Sequence, residues 1–249
     1  IWLPMAGLLG KIVVTLYPGE ERIIEHGPKY IDKRVFGAPS VAIQLSVKEL
    51  VRMANIAQGM FNDAGEAILS DSPENIVQTI NNHEEIVDNL QAGIVLYLST
   101  LMSQSPLTRS QSTQVTGMLH IVNDIERVGD HAVNIGNFAT YRTEKNIRFS
   151  HEAESELFDL FRRIDEILSI AIEAIDKNDS DLAREVWEKE KIIDSIDARL
   201  RNNHFIRLNE GSCLPASAVI YIEVLDNLER IADHAVNFAD AVIQNTVLS

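Results

Sequence analysis

The chain holds 249 residues, 45% of them apolar and 24% charged, with 12 glycines and 7 prolines. That is enough for one large or two small domains and carries too little turn chemistry for a strand-rich architecture. A formal charge of −15 would repel a polyphosphate backbone and argues against a nucleic-acid partner, leaving cations as the natural small partners, while the lone Cys213 excludes an internal disulfide and a thiolate-rich zinc centre.

Residues 1–18 open apolar, from Ile1 to Tyr17 interrupted only by Lys11, and lack the basic leader and small-residue cleavage site of a signal peptide. A complete membrane span needs about 20 apolar residues. The stretch is therefore expected to be either the last turns of a membrane helix ending near Pro18-Gly19 or an apolar arm folded onto the protein. Residues 19–40 are expected to be a linker, closing at Gly37-Ala38-Pro39-Ser40.

From Val41 onward apolar residues recur at helical spacing in long runs, each bounded by turn or capping residues, and strict strand-type alternation is almost absent. The first predicted helix runs from Val41 to Leu69 and stops at Ser70-Asp71-Ser72-Pro73, where Ser72 is expected to cap the second helix and Pro73 to occupy its first turn. The second continues to Met102, and Pro106 breaks the pattern before a third that ends near Tyr141. The polar stretch Arg142 to Asn146 marks the midpoint. A fourth helix then runs from Ser150 to Lys177, a fifth from Ser180 to Leu208, and a sixth from Pro215. Helices of this length are about 45 Å long, and their short loops imply antiparallel bundles.

The sharpest feature is a repeat. Glu126-Arg127-Val128-Gly129-Asp130-His131-Ala132-Val133-Asn134 returns 103 residues later as Glu229-Arg230-Ile231-Ala232-Asp233-His234-Ala235-Val236-Asn237. That offset equals one three-helix unit, so 41–142 and 143–249 are read as tandem copies. A second echo pairs Glu84 and Asp88 with Glu190 and Asp194, on the second and fifth helices.

Residues four apart share a helix face, so Glu126 neighbours Asp130, Glu229 neighbours Asp233, Glu84 neighbours Asp88 and Glu190 neighbours Asp194. Each like-charged pair costs a few tenths of a kcal/mol in solvent and more where a second helix desolvates it. Arg127, Arg230, solvent or a bound cation could compensate. Hard oxygen donors without thiolates suit Mg, Ca, Mn or non-haem iron, and Asn123, Asn134, Asp226 and Asn237 extend the stripe towards further coordination or hydrogen bonding.

His131 and His234 each follow an Asp by one position, which turns them off the carboxylate stripe and points to interhelical hydrogen bonding. Gly129, Ala132, Gly136 and their counterparts Ala232, Ala235 and Ala239 form a small-residue seam, read as core. The sequence shows no phosphate-cradling glycine loop, nucleophile elbow or zinc helix, and no Glu-x-x-His pairing of the di-iron enzymes. No catalytic residue is assigned.

The duplicated stripe on two three-helix units resembles the PhoU family of phosphate-homeostasis proteins, over roughly Val41 to Leu248. Ile31-Asp32, Pro39 and Lys48-Glu49-Leu50-Val51-Arg52-Met53-Ala54 resemble the segment joining the membrane domain of bacterial sodium/phosphate cotransporters to their PhoU-like tail. The resemblance implies an all-α tandem of two antiparallel three-helix bundles that modulates phosphate uptake at the cytoplasmic face of the membrane. Its partners would be the membrane domain of its own transporter and metal ions, with room for a homo-oligomer. The family's acidic motif maps onto Glu126, Asp130, Glu229 and Asp233, and more loosely onto Glu84, Asp88, Glu190 and Asp194. Asn123 stands opposite Asp226, and Asn227 opposite Asp124, so the two faces are expected to differ. The alternatives are a free-standing PhoU-like regulator, a carboxylate-bridged metalloenzyme and a metal-free helical adaptor.

Overall fold

The computed structural model describes residues 27–244, which leaves the apolar stretch 1–18 outside the described residues. After one 3-10 turn at Lys33–Val35 come six helices: α1 (Pro39–Leu69), α2 (Glu74–Gln104), α3 (Arg109–Glu144), α4 (His151–Lys177), α5 (Ser180–Asn209) and α6 (Pro215–Ile243). All lie where the periodicity predicts, and no strand occurs among the described residues.

Local chemistry sets the boundaries. Thr108 and Gln111 form a reciprocal capping box at the start of α3. Ser150 Oγ accepts from the Ala153 amide at the start of α4, which ends on Asn178 in the left-handed region at φ 52°. Asp179 then caps α5 through the amides of Asp181 and Leu182. The expectation for Ser72 is corrected: α2 begins at Glu74 behind Pro73 without a side-chain cap. Ser72 instead donates its own amide to Ser70 Oγ, a local turn bond that competes with capping.

Helices α1, α2 and α3 pack together, as do α4, α5 and α6. The bundles are not separate bodies, because buried residues from both form one continuous core. Two seams join them. At α1–α4 the Phe61 and Phe161 rings lie 5.2 Å apart, and Gln58 Nε2 donates to Asp165 Oδ1 and Ser169 Oγ, each at 2.7 Å. A Cβ at Gly65 would stand 2.9 Å from the Phe161 ring, so the helix accepts glycine's lower propensity there in exchange for a close approach. At α3–α6 the paired residues also run in opposite directions, giving the chain an internal two-fold relation in which each repeat offers the other an equivalent surface.

The small-residue seam is core, as expected. A Cβ on Gly129 would touch Met60 and Val87, and one on Gly136 would touch Ile80.

Residues 27–38, part of the stretch read as linker, lie against repeat 1. Glu49 is fully buried; its Oε2 accepts from the Lys29 and Tyr30 amides at 2.8 and 2.6 Å, and its Oε1 from Arg52 Nη1 at 2.5 Å. Tyr97 donates its hydroxyl to the Asp32 carbonyl, Ser105 donates to the Phe36 carbonyl, and the Phe36 ring stands 4.9 Å from Tyr97. The segment is a strap across α1 and α2.

Candidate functional site

The amphipathic faces of α2 and α3 bring Glu84, Asp88, Glu126 and Asp130 together on one side of repeat 1. Partial burial raises the Glu84 carboxyl above its usual range, and the charges of Asp88 and Asp130 raise it further. Asp88 is raised by burial and by Asp130. Glu126 is raised by burial and by Asp130, against a weaker pull from Arg127. Arg127 offers only loose pairing, 3.9 Å to Glu126 and 3.7 Å to Asp130. The face therefore holds unrelieved negative charge.

Repeat 2 is built differently. Glu190, Asp194 and Asp233 gather on α5 and α6, and burial, then Asp194 and Asp233, raise the Glu190 carboxyl. Glu229 turns to Arg201, which reaches Asp197 and Asp226 at 2.6 Å and Glu229 at 3.2 Å. Burial works against the Arg201 charge, yet Asp197 and Asp226 outweigh it and hold its proton more tightly than usual. Gln91 stands at the Asp197 position of repeat 1 and Val95 at the Arg201 position. Gln91 donates to Asn123 at 3.3 Å there, so a neutral pair replaces a four-residue ionic cluster.

Between the two faces lies the α3–α6 seam. His131 Nδ1 and Asn227 Oδ1 are 2.9 Å apart, and Asn134 Nδ2 donates to the same oxygen at 3.4 Å. In the mirrored arrangement His234 Nδ1 is 2.9 Å from Asp124 Oδ1, which also accepts from Asn237 Nδ2 at 3.0 Å. The imidazoles stack with centroids 5.7 Å apart. The histidines thus bond between helices as the spacing predicts. Asn134 and Asn237, expected along the carboxylate stripe, serve the seam; Asp226 serves Arg201.

The donor chemistry fits a hard cation, since every candidate ligand is a carboxylate. Among the described residues no three His, Cys, Asp or Glu side chains converge tightly enough to hold an ion as placed, so the carboxylates would have to close by rotation. Sequence reasoning missed the Arg201 cluster and the interior carboxylates. The latter had a signal: Glu49-Leu50 returns 107 residues later as Glu156-Leu157. Glu156 accepts from Tyr221, Arg207 and Asn203.

The family described as PhoU domain matches residues 50–139 and 157–242, one match on each repeat. The chain is 27% identical to the phosphate-specific transport system accessory protein PhoU homolog 1 of Thermotoga maritima, covering 81% of this chain and 85% of the relative. It is 26% identical to the PhoU homolog of Clostridium acetobutylicum, covering 78% and 88%. Among solved structures, PhoU of Pseudomonas aeruginosa superposes with a TM-score of 0.76 at 22% identity, covering 80% of this chain and 94% of that one. The phosphate transport system regulatory protein PhoU of Streptococcus pneumoniae gives 0.75 at 17%, covering 83% and 96%. These two likenesses show the helical-bundle fold, and with the family match on both repeats the chain belongs to the PhoU family.

Proposed function

We propose that the chain is a regulatory accessory protein of phosphate transport, acting from the cytoplasmic side, and that its acidic faces take up divalent or iron-type cations. The regulatory role is supported by relatives described as phosphate transport accessory proteins, of which this chain spans 85% and 88%. The description of those relatives as accessory proteins of a transport system favours a free-standing accessory role over the tail of a sodium/phosphate cotransporter. The cation role rests on one observation: Glu84, Asp88 and Glu126 are each raised by burial and by neighbouring carboxylate charge, that of Asp130 in every case, without a firm cationic partner. A bound cation would relieve that repulsion and draw α2 to α3. Glu84, Asp88, Glu126 and Asp130 would hold it in repeat 1, and Glu190, Asp194, Asp233 and Glu229 in repeat 2.

The test joins metal analysis to transport. Mass spectrometry on protein purified without chelator should find Fe, Mn or another divalent metal that is lost in Glu126→Ala/Asp130→Ala/Glu229→Ala/Asp233→Ala. In cells lacking the gene, wild type should restore normal control of phosphate uptake and the variant should not. Unchanged uptake on deletion would remove the regulatory role, and metal content untouched by the variant would remove the site.

A further inference from the structure

The α4 end of repeat 2 holds a cleft of 160 Å³ between the α3–α4 connection, the end of α5 and the α5–α6 turn. Arg148, His204, Arg207 and Cys213 line it, with Leu214 and Ser217 at the start of α6. In a chain of net charge −15 the cleft brings together two guanidinium groups and an imidazole.

Arg207 stands at the duplicate position of Leu101, and His204 at that of Leu98. Both leucines are fully buried in repeat 1. Apolar side chains satisfy the fold at these places, so burying a guanidinium and an imidazole there adds a desolvation cost the architecture does not require. Glu156 takes Arg207 Nη2 at 2.7 Å, yet Arg207 Nε is buried without a hydrogen-bond partner. His204 is 3% exposed, and its ring nitrogens meet only Arg207 Nη2 at 3.5 Å and Cys213 Sγ at 4.0 Å. The Arg148 guanidinium makes no ion pair among the described residues. Leu214 precedes α6 without a side-chain cap, leaving first-turn amides of a 29-residue helix open at the cleft.

Acidic groups also border it. Glu156 is committed to Arg207, Asn203 and Tyr221. Exposed Glu152 is held low by its own amide and by the Ser150 hydroxyl. Neither bonds Arg148 or Arg207 Nε.

We propose that this cleft is a binding site for a tetrahedral oxyanion, inorganic phosphate or the phosphate group of a small ester, gripped by Arg148, Arg207 Nε and His204 against the open N-terminus of α6. Guanidinium groups match such an oxyanion in charge and geometry, and helix N-terminal amides supply the remaining donors. The site is independent of the acidic faces, roughly 20 Å along α5 from Glu190, so either can fail without the other.

Cys213 is the single thiol of the chain and lies in the cleft wall, so its alkylation reports occupancy. The rate with iodoacetamide is measured at constant ionic strength with sodium chloride, inorganic phosphate or glycerol phosphate, on the full chain, and each variant is compared with its own anion-free rate. Phosphate at ten times its dissociation constant should slow wild-type alkylation about tenfold, because only the empty fraction reacts. Arg148→Gln, which breaks no described ion pair, should abolish the protection with its helical content unchanged. The ester protecting at lower concentration than phosphate would name the ester as the physiological source, and the reverse would name phosphate; both support an oxyanion site. No slowing beyond that of chloride, or equal protection in Arg148→Gln, overturns the proposal.

Discussion

His131 and His234 stack at the internal two-fold, but they face unequal partners: His234 meets the carboxylate of Asp124, whereas His131 meets the neutral amide of Asn227. Desolvation lowers the His131 pKa, with the nearby His234 and Arg230 charges acting in the same direction. Asp124→Ala should leave His234 and Asn237 without their shared acceptor, at a cost of about 1–3 kcal/mol. Asn227→Ala should cost less, because a neutral acceptor is lost. Urea midpoints of the two variants measure the difference, and an equal effect would show that the Asp124 charge contributes nothing to the seam.

The strap depends on Glu49. Glu49→Ala removes the acceptor of two backbone amides and of Arg52, whose side chain is 15% exposed and keeps its bond to the Gly27 carbonyl; breaking a buried pair costs about 3–5 kcal/mol, and less where the survivor reaches water or another acceptor, as here. Gly93→Ala attacks the same contact from the other side, since the new Cβ would stand 2.5 Å from Pro28 Cγ. In a free helix that substitution would stabilise by about 1 kcal/mol. Here both variants should release residues 27–38 and expose Lys29, Lys33 and Arg34 to trypsin. Unchanged cleavage would mean that the strap holds without these contacts.

The acidic faces give a pH dependence of definite sign. Glu84, Asp88, Glu126, Glu190 and Glu229 are all raised above their ordinary values, first by burial and then by neighbouring carboxylates, with Arg127, Lys191 or Arg201 opposing where present. A carboxyl whose folded pKa exceeds its unfolded one destabilises the fold fully above the folded value, and the penalty disappears as pH falls towards the unfolded value near 4. His131, lowered in the fold, acts oppositely and removes stability as pH falls through about 6.5. Metal-free Glu126→Gln should therefore melt slightly higher than wild type at pH 7, by a few tenths of a kcal/mol, and the gain should shrink at lower pH. Thermal melts in chelator at several pH values measure this; a lower melting temperature at pH 7 would mean that Glu126 is satisfied.

Six helices and their duplication were legible because the signals are local: apolar periodicity, Pro73, Pro106 and Pro215, the Asn178-Asp179 turn, and a nine-residue motif returning with seven residues identical. The seam histidines followed from helical angle alone. What was hidden depends on partners distant in sequence. Glu49 reads as one more acidic residue until the strap folds back over it. Arg201 lies 25 residues from Asp226, and nothing in the stripe E-x-x-x-D says that a guanidinium of the neighbouring helix will sit beside the second copy and not the first. Asp124 and Asn227 were visible as a difference between copies, but their service to the opposite repeat depends on how the bundles dock.

That asymmetry makes Arg201 the most informative residue of the acidic faces. It acts as an internal cation for repeat 2, pairing Asp197 and Asp226 and reaching Glu229, while repeat 1 has Val95 in its place and only a loosely paired Arg127. Asp197 is 13% exposed and its Oδ1 already lacks a partner, so Arg201→Met would leave a largely buried carboxylate uncompensated, at a cost of about 3–5 kcal/mol for a fully buried pair and less here in proportion to its exposure. Removing a fixed positive charge also frees Glu229 and Asp226 to approach an added cation. Arg201→Met should therefore be less stable than wild type in chelator and recover more of its melting temperature on titration with Mn or Mg, since a ligand that binds only the folded state stabilises by mass action. A parallel Val95→Met control, which leaves the charges of repeat 1 untouched, should show no such extra recovery. If added metal rescues Arg201→Met no more than it stabilises wild type, the guanidinium is a structural brace and not a substitute for a bound ion.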